Sequence, residues 1–204
     1  MPKIDAPTVA EHRANVRMRL IDAAESVLRH DPSAQLTAGA VTSAAGIARN
    51  SIYRYVDSVD DLRSLVLNRY LPDWMSKVEQ AMATATTPQD RVITWVRSNL
   101  EQAAQTGHGW LMEAARKSSS PSMDEAVDSA HSGMRGALTE AWQDLLAPDE
   151  VRARVAVGLT VGLLDAGFRQ LDDGLAEQVV TETVVAATGA MVSALSSGDR
   201  NRRG

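Results

Sequence analysis

The chain has 204 residues, a net charge of −5 and no cysteine. The missing cysteines exclude disulfides, thiolate catalysis and Cys-based zinc sites, and neither a signal peptide nor an apolar run of membrane-spanning length is visible. Alanine and valine are abundant, alternating runs and Asn-Gly turns are lacking, and the expectation is a cytoplasmic all-α protein with one small and one larger helical domain.

Residues 1–7 read as a disordered end. From Arg17 to Leu28 the spacing sets Leu20, Ile21, Ala24, Val27 and Leu28 on one stripe, which predicts an amphipathic helix. Val41 to Val56 then reads as a helix-turn-helix. Val41, Ala45, Ile47, Ile52 and Tyr55 fall where two short helices bury apolar side chains, and Gly46 falls where the chain turns sharply. Thr42, four positions earlier, is small where the crossing helices leave little room. At about 100° per residue, Ala48, Ile52 and Val56 share an inward face of the second helix. Asn50 and Arg54 then point outward, Ser51 and Tyr53 flank them, and Arg49 and Tyr55 are long enough to swing outward. Asn pairs with both edge groups of adenine and Arg with guanine, while hydroxyls hold phosphates. The pattern therefore points to DNA. Ser58, with Asp61 three residues on, forms a near-capping box that opens the next helix.

This segment resembles the N-terminal domain of the TetR (tetracycline repressor-like) family of bacterial transcriptional regulators. The residues that carry the resemblance are Leu20-Ile-Asp-Ala-Ala24, Thr37, Ala45-Gly46-Ile47, Ser51-Ile-Tyr-Arg-Tyr55, Ser58 and Leu62. It implies DNA contacts from Thr37, Arg49, Asn50, Ser51, Tyr53 and Tyr55; the helical period adds Arg54. The chain departs from the family's usual Ser at Ala48, Phe at Val56 and Lys at Val59, and the last change puts in question one backbone phosphate contact that the resemblance implies. Charge agrees with the reading. Residues 1–56 hold seven Lys/Arg and five Asp/Glu, a balance of +2, whereas 57–204 hold fourteen and twenty-one, a balance of −7.

Beyond Ser58 the helical pattern continues to about Ala85 and predicts a kink at Pro72. Thr87 and Pro88 restart it as N-cap and first residue, with Val92, Trp95, Val96, Asn99 and Ala103 on one face up to Gly107. A short helix over His108–Lys117 follows. Ser122 and Glu125 then form a capping box for a helix to Leu146, with Val127, Ala130, Met134, Leu138, Ala141 and Leu145 in register. The last two helices are expected over Pro148–Leu171 and Leu175–Ser197. The first is apolar on two faces, Val151, Val155, Leu159, Leu163 and Ala166 on one and Val157, Val161, Leu164, Phe168 and Leu171 on the other. Two apolar faces need two covering layers. Gly158 and Gly162 leave room for another backbone, and Val179, Val180, Val184, Ala187 and Met191 make the final helix apolar. Val157, Gly158, Val161, Gly162, Phe168, Val180, Val184, Ala187 and Met191 are thus candidates for a homodimer interface. The family's members dimerise through their last two long helices.

The resemblance further implies a small-molecule effector site in the body. Trp95, Trp110, Met112, Met134 and Trp142 are its bulky candidates, and Asn99, His131 and Asp165 its polar ones. No cofactor, metal or catalytic group is expected. The chief rival is a metal-dependent helical enzyme using Asp128 and His131, one turn apart, with Glu113 and Asp124; a helical protein-interaction scaffold is the other. The expected division is a helix-turn-helix domain over 1–58, an effector-binding and dimerisation domain over 59–198, and a disordered tail over 199–204. A two-fold dimer would read double-stranded DNA as a palindromic operator.

Overall fold

The computed structural model describes residues 9–31, 35–116 and 121–200, with the side chains of 121–131 and 198–200 outside that description. All regular structure among the described residues is helical. The elements are α1 (Val9–His30), α2 (Ala38–Ala45), a 3-10 helix (Arg49–Arg54), α3 (Asp61–Leu67), α4 (Leu71–Ala83), α5 (Pro88–Thr106), α6 (His108–Arg116), α7 (Pro121–Leu146), α8 (Glu150–Asp172) and α9 (Glu177–Arg200). The ends expected to be disordered, 1–7 and 199–204, fall outside the described residues except for 199 and 200, which α9 includes.

The chain divides into two compact units. The first comprises Met1–Arg69 and Trp110–Ala126; the second comprises Tyr70–Gly109 and Val127–Gly204. The first unit thus runs past the expected boundary at 58, because α3 belongs to it. Arg69, just beyond α3, donates to Asp22 at 2.6 Å and to Glu25 at 2.9 Å on α1.

In the first unit α1 buries Val16, Leu20, Ile21, Ala23, Ala24 and Leu28 and packs on α2 and α3. It starts eight residues before the predicted Arg17. Residues 9–16 contain neither Gly nor Pro, so nothing breaks the backbone ladder. The capping box before α3 forms as read. Ser58 N–H donates to the Asp61 carboxylate at 2.7 Å, and Asp61 N–H donates to Ser58 Oγ at 3.1 Å. Ser58→Ala should cost about 1 kcal/mol, seen as a lower midpoint in thermal unfolding followed by circular dichroism.

The kink at Pro72 is not what the structure shows. The helix stops at Leu67, and a new one begins at Leu71 with Pro72 in its first turn. An N–H there would have no helical partner, so proline costs nothing. In the second unit α5 packs against α4, α8 and α9. Thr87 caps α5 as predicted, its Oγ1 accepting from Asp90 N–H at 3.1 Å, and Val92, Trp95, Val96, Asn99 and Ala103 are all buried. α7 begins at Pro121, which puts Ser122 inside the first turn rather than before it; the expected Ser122–Glu125 side-chain pairing lies outside the described residues.

α8 starts at Glu150, with the Asp149 carboxylate accepting from Arg152 N–H at 2.9 Å. Only one of its apolar faces is covered. Val157, Leu164 and Phe168 are buried, while Val151, Val155 and Leu159 are more than half exposed. The crowded glycine is Gly167, where a Cβ would lie 2.7 Å from the Leu100 side chain (Cδ2) on α5. Gly158 and Gly162, the positions read as close approaches, face open space. The last helix is more continuously apolar than the sequence reading expects. Glu177–Ser197 of α9 is long and apolar enough to cross a membrane by length and composition. Here that segment packs on α5 and α8 and buries Val180, Thr181, Thr188 and Val192.

Candidate nucleic-acid interface and effector region

Thr37 is the N-cap of α2, its hydroxyl accepting from Ala40 N–H at 3.1 Å. Val41, Thr42 and Ala45 are buried, and the Thr42 hydroxyl donates to the Ala38 carbonyl, so its polar atom is satisfied inside the crossing. At the exit Gly46 adopts φ +64°. Ile47 N–H donates to Thr42 O at 3.0 Å and Gly46 N–H to Ser43 O at 3.3 Å. This paired closure needs a left-handed residue between the helices, and glycine takes that conformation without a Cβ penalty.

The second element differs from expectation. Arg49–Arg54 is a 3-10 helix, not an α-helix, with Ser51 N–H on Ala48 O and Tyr55 N–H on Ile52 O, each at 2.9 Å. Ala48, extended and exposed, has no side-chain oxygen to cap a first α-turn. In a 3-10 helix residues three apart eclipse. Ile52 is therefore buried with Tyr55 half-buried beside it, Asn50 and Tyr53 share one outward edge, and Ser51 and Arg54 share another. Tyr53 is 62 % exposed. Ala48 leaves the inward set; Val56 stays in it. All seven candidate DNA contacts retain exposed or half-exposed side chains, Thr37 and Arg49 included.

Two arginines that sequence reading missed bind this hairpin from α1. Arg19 donates to the carbonyls of Ala45 and Gly46, the latter at 3.3 Å, and Arg13 donates to that of Arg54 at 3.0 Å. Elsewhere in the same unit Arg63 is buried on α3 beside Asp60 at 3.4 Å. Burial lowers its pKa from the usual arginine value, against the opposing attraction of Asp60 and Glu113.

The effector candidates do not form one pocket. Trp95 donates its indole N–H to Met134 O at 2.9 Å. Asn99 accepts from the Trp74 indole at 2.9 Å and donates to Trp95 O at 2.8 Å. Trp142, fully buried, donates to Thr160 Oγ1 at 3.0 Å. These are hydrogen bonds within the unit's own core. Met134 is half-buried, and Asp165 is exposed rather than intruding on an apolar face. Trp110 lies in the first unit under the Arg29 guanidinium, 4.3 Å from its ring centre, and the half-buried Met112 follows it on α6. His131 falls among the side chains outside the described residues, as do Asp128 and Asp124 of the metal reading. A cavity of about 430 Å³ opens instead between α7 and α8, lined by Arg135, Gln143, Arg154 and Val157 among others, and by none of the effector candidates.

Of the dimer candidates, Phe168 and Val180 belong to the unit's own core. Phe168 stacks on His108, ring centres 4.1 Å apart, and receives Trp74 edge-on. The Asp172 carboxylate holds that corner, 3.4 Å from His108 Nδ1 and accepting from Gly109 N–H at 2.8 Å. Val157 is buried too; Val161, Val184 and Met191 are half-buried, and Gly158, Gly162 and Ala187 are exposed.

Neither a family model nor a curated protein matches the chain by sequence. Its fold does match solved structures. A TetR-family transcriptional regulator from Streptomyces coelicolor aligns with a TM-score of 0.72 at 18 % identity, over 90 % of this chain and 97 % of that one. A putative transcriptional regulator from Pseudomonas aeruginosa gives 0.69 at 15 % identity, over 98 % and 97 %. The transcriptional regulator FadR from Bacillus subtilis, in complex with stearoyl-CoA, gives 0.60 at 16 % identity, over 89 % and 98 %. The all-α fold of this chain is that of TetR-family regulators.

Proposed function

We propose that the protein is a sequence-specific DNA-binding transcriptional regulator that represses as a homodimer at a palindromic operator in the cytoplasm. The observation that carries the reading is the hairpin itself, with a left-handed glycine between α2 and a second element whose outward edges present Asn50, Tyr53 and Arg54. Side chains of these types read base edges and hold phosphates. One such element spans only a few base pairs, which favours two copies related by a two-fold axis. The uncovered aliphatic face of α8 is the surface proposed to join them. Release by a small apolar or amphipathic effector bound in the second unit completes the proposal. The stearoyl-CoA held by the solved FadR neighbour supports an effector of that class.

The test is selection from random duplex DNA at moderate salt. A palindromic sequence should be enriched, and Tyr53→Ala should weaken its binding by at least about tenfold with helicity unchanged. Absence of any enriched sequence, with only weak binding that salt abolishes, would refute the reading.

A further inference from the structure

The 3-10 helix Arg49–Arg54 has little of its own to fix its direction. It is six residues long, its N-cap Ala48 offers no side-chain acceptor, and Ile52 is its one buried residue. Two arginines on α1 supply the missing anchorage. The guanidinium of Arg19 donates to the carbonyls of Ala45 and Gly46, where α2 ends and the turn begins. That of Arg13 donates to the carbonyl of Arg54, where the 3-10 helix ends. The last carbonyls of a helix lack intrahelical donors and carry the negative end of its dipole. A planar guanidinium can serve two of them at once. Both grips come from α1, one continuous helix of 22 residues.

We infer that Arg13 and Arg19 are positioning residues, which fix the orientation in which Asn50, Tyr53 and Arg54 meet DNA and so act on sequence-specific affinity without touching the nucleic acid. The inference rests on the DNA-binding function proposed above. Its rival is direct contact, since both arginines are exposed and could reach phosphates. Salt separates the two. A phosphate contact releases counterions and steepens the dependence of affinity on salt, whereas a bond to a backbone carbonyl of the same chain releases none.

Full-length Arg13→Met and Arg19→Met are compared with wild type, with Arg19→Lys as a charge-retaining control. Amide exchange in the free protein, read by mass spectrometry, should accelerate several-fold over residues 46–56 and stay unchanged in peptides from α5 and α8. Affinity for the selected palindrome should fall about tenfold, with random-duplex affinity and the salt slope preserved. Arg19→Lys should recover only part of the loss, because its ammonium ends a shorter side chain than the single guanidinium nitrogen that meets both carbonyls. A salt slope reduced by about one per protomer would overturn the inference in favour of a phosphate contact. Unchanged exchange and affinity would overturn it altogether. Failure of wild type to enrich any duplex refutes the DNA-binding function itself, a result distinct from unchanged exchange in the variants beside a wild type that selects normally.

Discussion

Leu159→Glu should convert the protein to a monomer and weaken operator binding by about 100-fold or more, the scale set by losing one of two linked half-sites. Leu159 is 52 % exposed, and Val151 and Val155 at 67 % and 57 % precede it at four-residue intervals on α8. Gly158 and Gly162 beside them face open space, so another backbone can approach there. α9 adds exposed Val179 and a run of small exposed residues, Ala186, Ala187 and Ala190. Large aliphatic side chains exposed at successive turns of one helix mark an interface more often than a solvated face. By two-fold symmetry each substitution enters the interface twice, and every buried carboxylate without a partner costs several kcal/mol. The fold of each protomer should survive, because Leu159 contributes little to its core. Sedimentation velocity checks the mass, circular dichroism the helicity, and a binding curve on the selected palindrome the affinity. A variant that stays dimeric with undiminished affinity would move the interface off this face.

What could be read from residues alone was local chemistry. Gly46, Thr87 with Pro88, and Ser58 with Asp61 each act within one turn, and each takes the role its residue type prescribes. Pro72 opens a helix where a kink is expected, because proline is equally at home breaking a helix or opening one and nothing nearby distinguishes the two. The second half of the hairpin lies where the sequence predicts it but is wound differently: an uncapped Ala48 lets it settle as a 3-10 helix, which regroups its outward side chains by threes. Arg13 and Arg19 left no periodic signal, since their partners lie 41 and 26 or 27 residues away and are backbone atoms. On α8 periodicity revealed two apolar faces but not which one the unit itself would cover. Leu100 and Val184 meeting Gly167 decided that, and with it Phe168 passed from the expected interface to the core. The effector candidates Trp95, Asn99 and Trp142 carry a related ambiguity. Tryptophan and methionine on an apolar stripe serve a core as well as a pocket, and indole N–H groups that find Met134 O, Asn99 and Thr160 mark a closed core.

That distinction can be measured at Trp142, the largest side chain that is fully buried. Truncation to alanine empties the space under α7 and α8 and should cost about 3–5 kcal/mol. Domains are stable by only about 5–15 kcal/mol, so Trp142→Ala should lower the unfolding midpoint on the order of 10 °C. Its hydrogen bond adds a second, separable effect. Thr160 is itself fully buried and donates to Ala156 O at 2.8 Å, so its Oγ1 depends on the indole N–H at 3.0 Å for an outside donor. Trp142→Phe keeps most of the ring volume and removes that donor, for a loss of roughly 1–3 kcal/mol. Urea and thermal unfolding of the two variants therefore rank the contributions of packing and polar satisfaction. An effector contact would behave otherwise. Trp142→Ala would then leave stability near wild type and alter only the ligand's effect on operator binding. Stability unchanged within about 1 kcal/mol, below the expected loss for a buried tryptophan, would return Trp142 to the effector candidates.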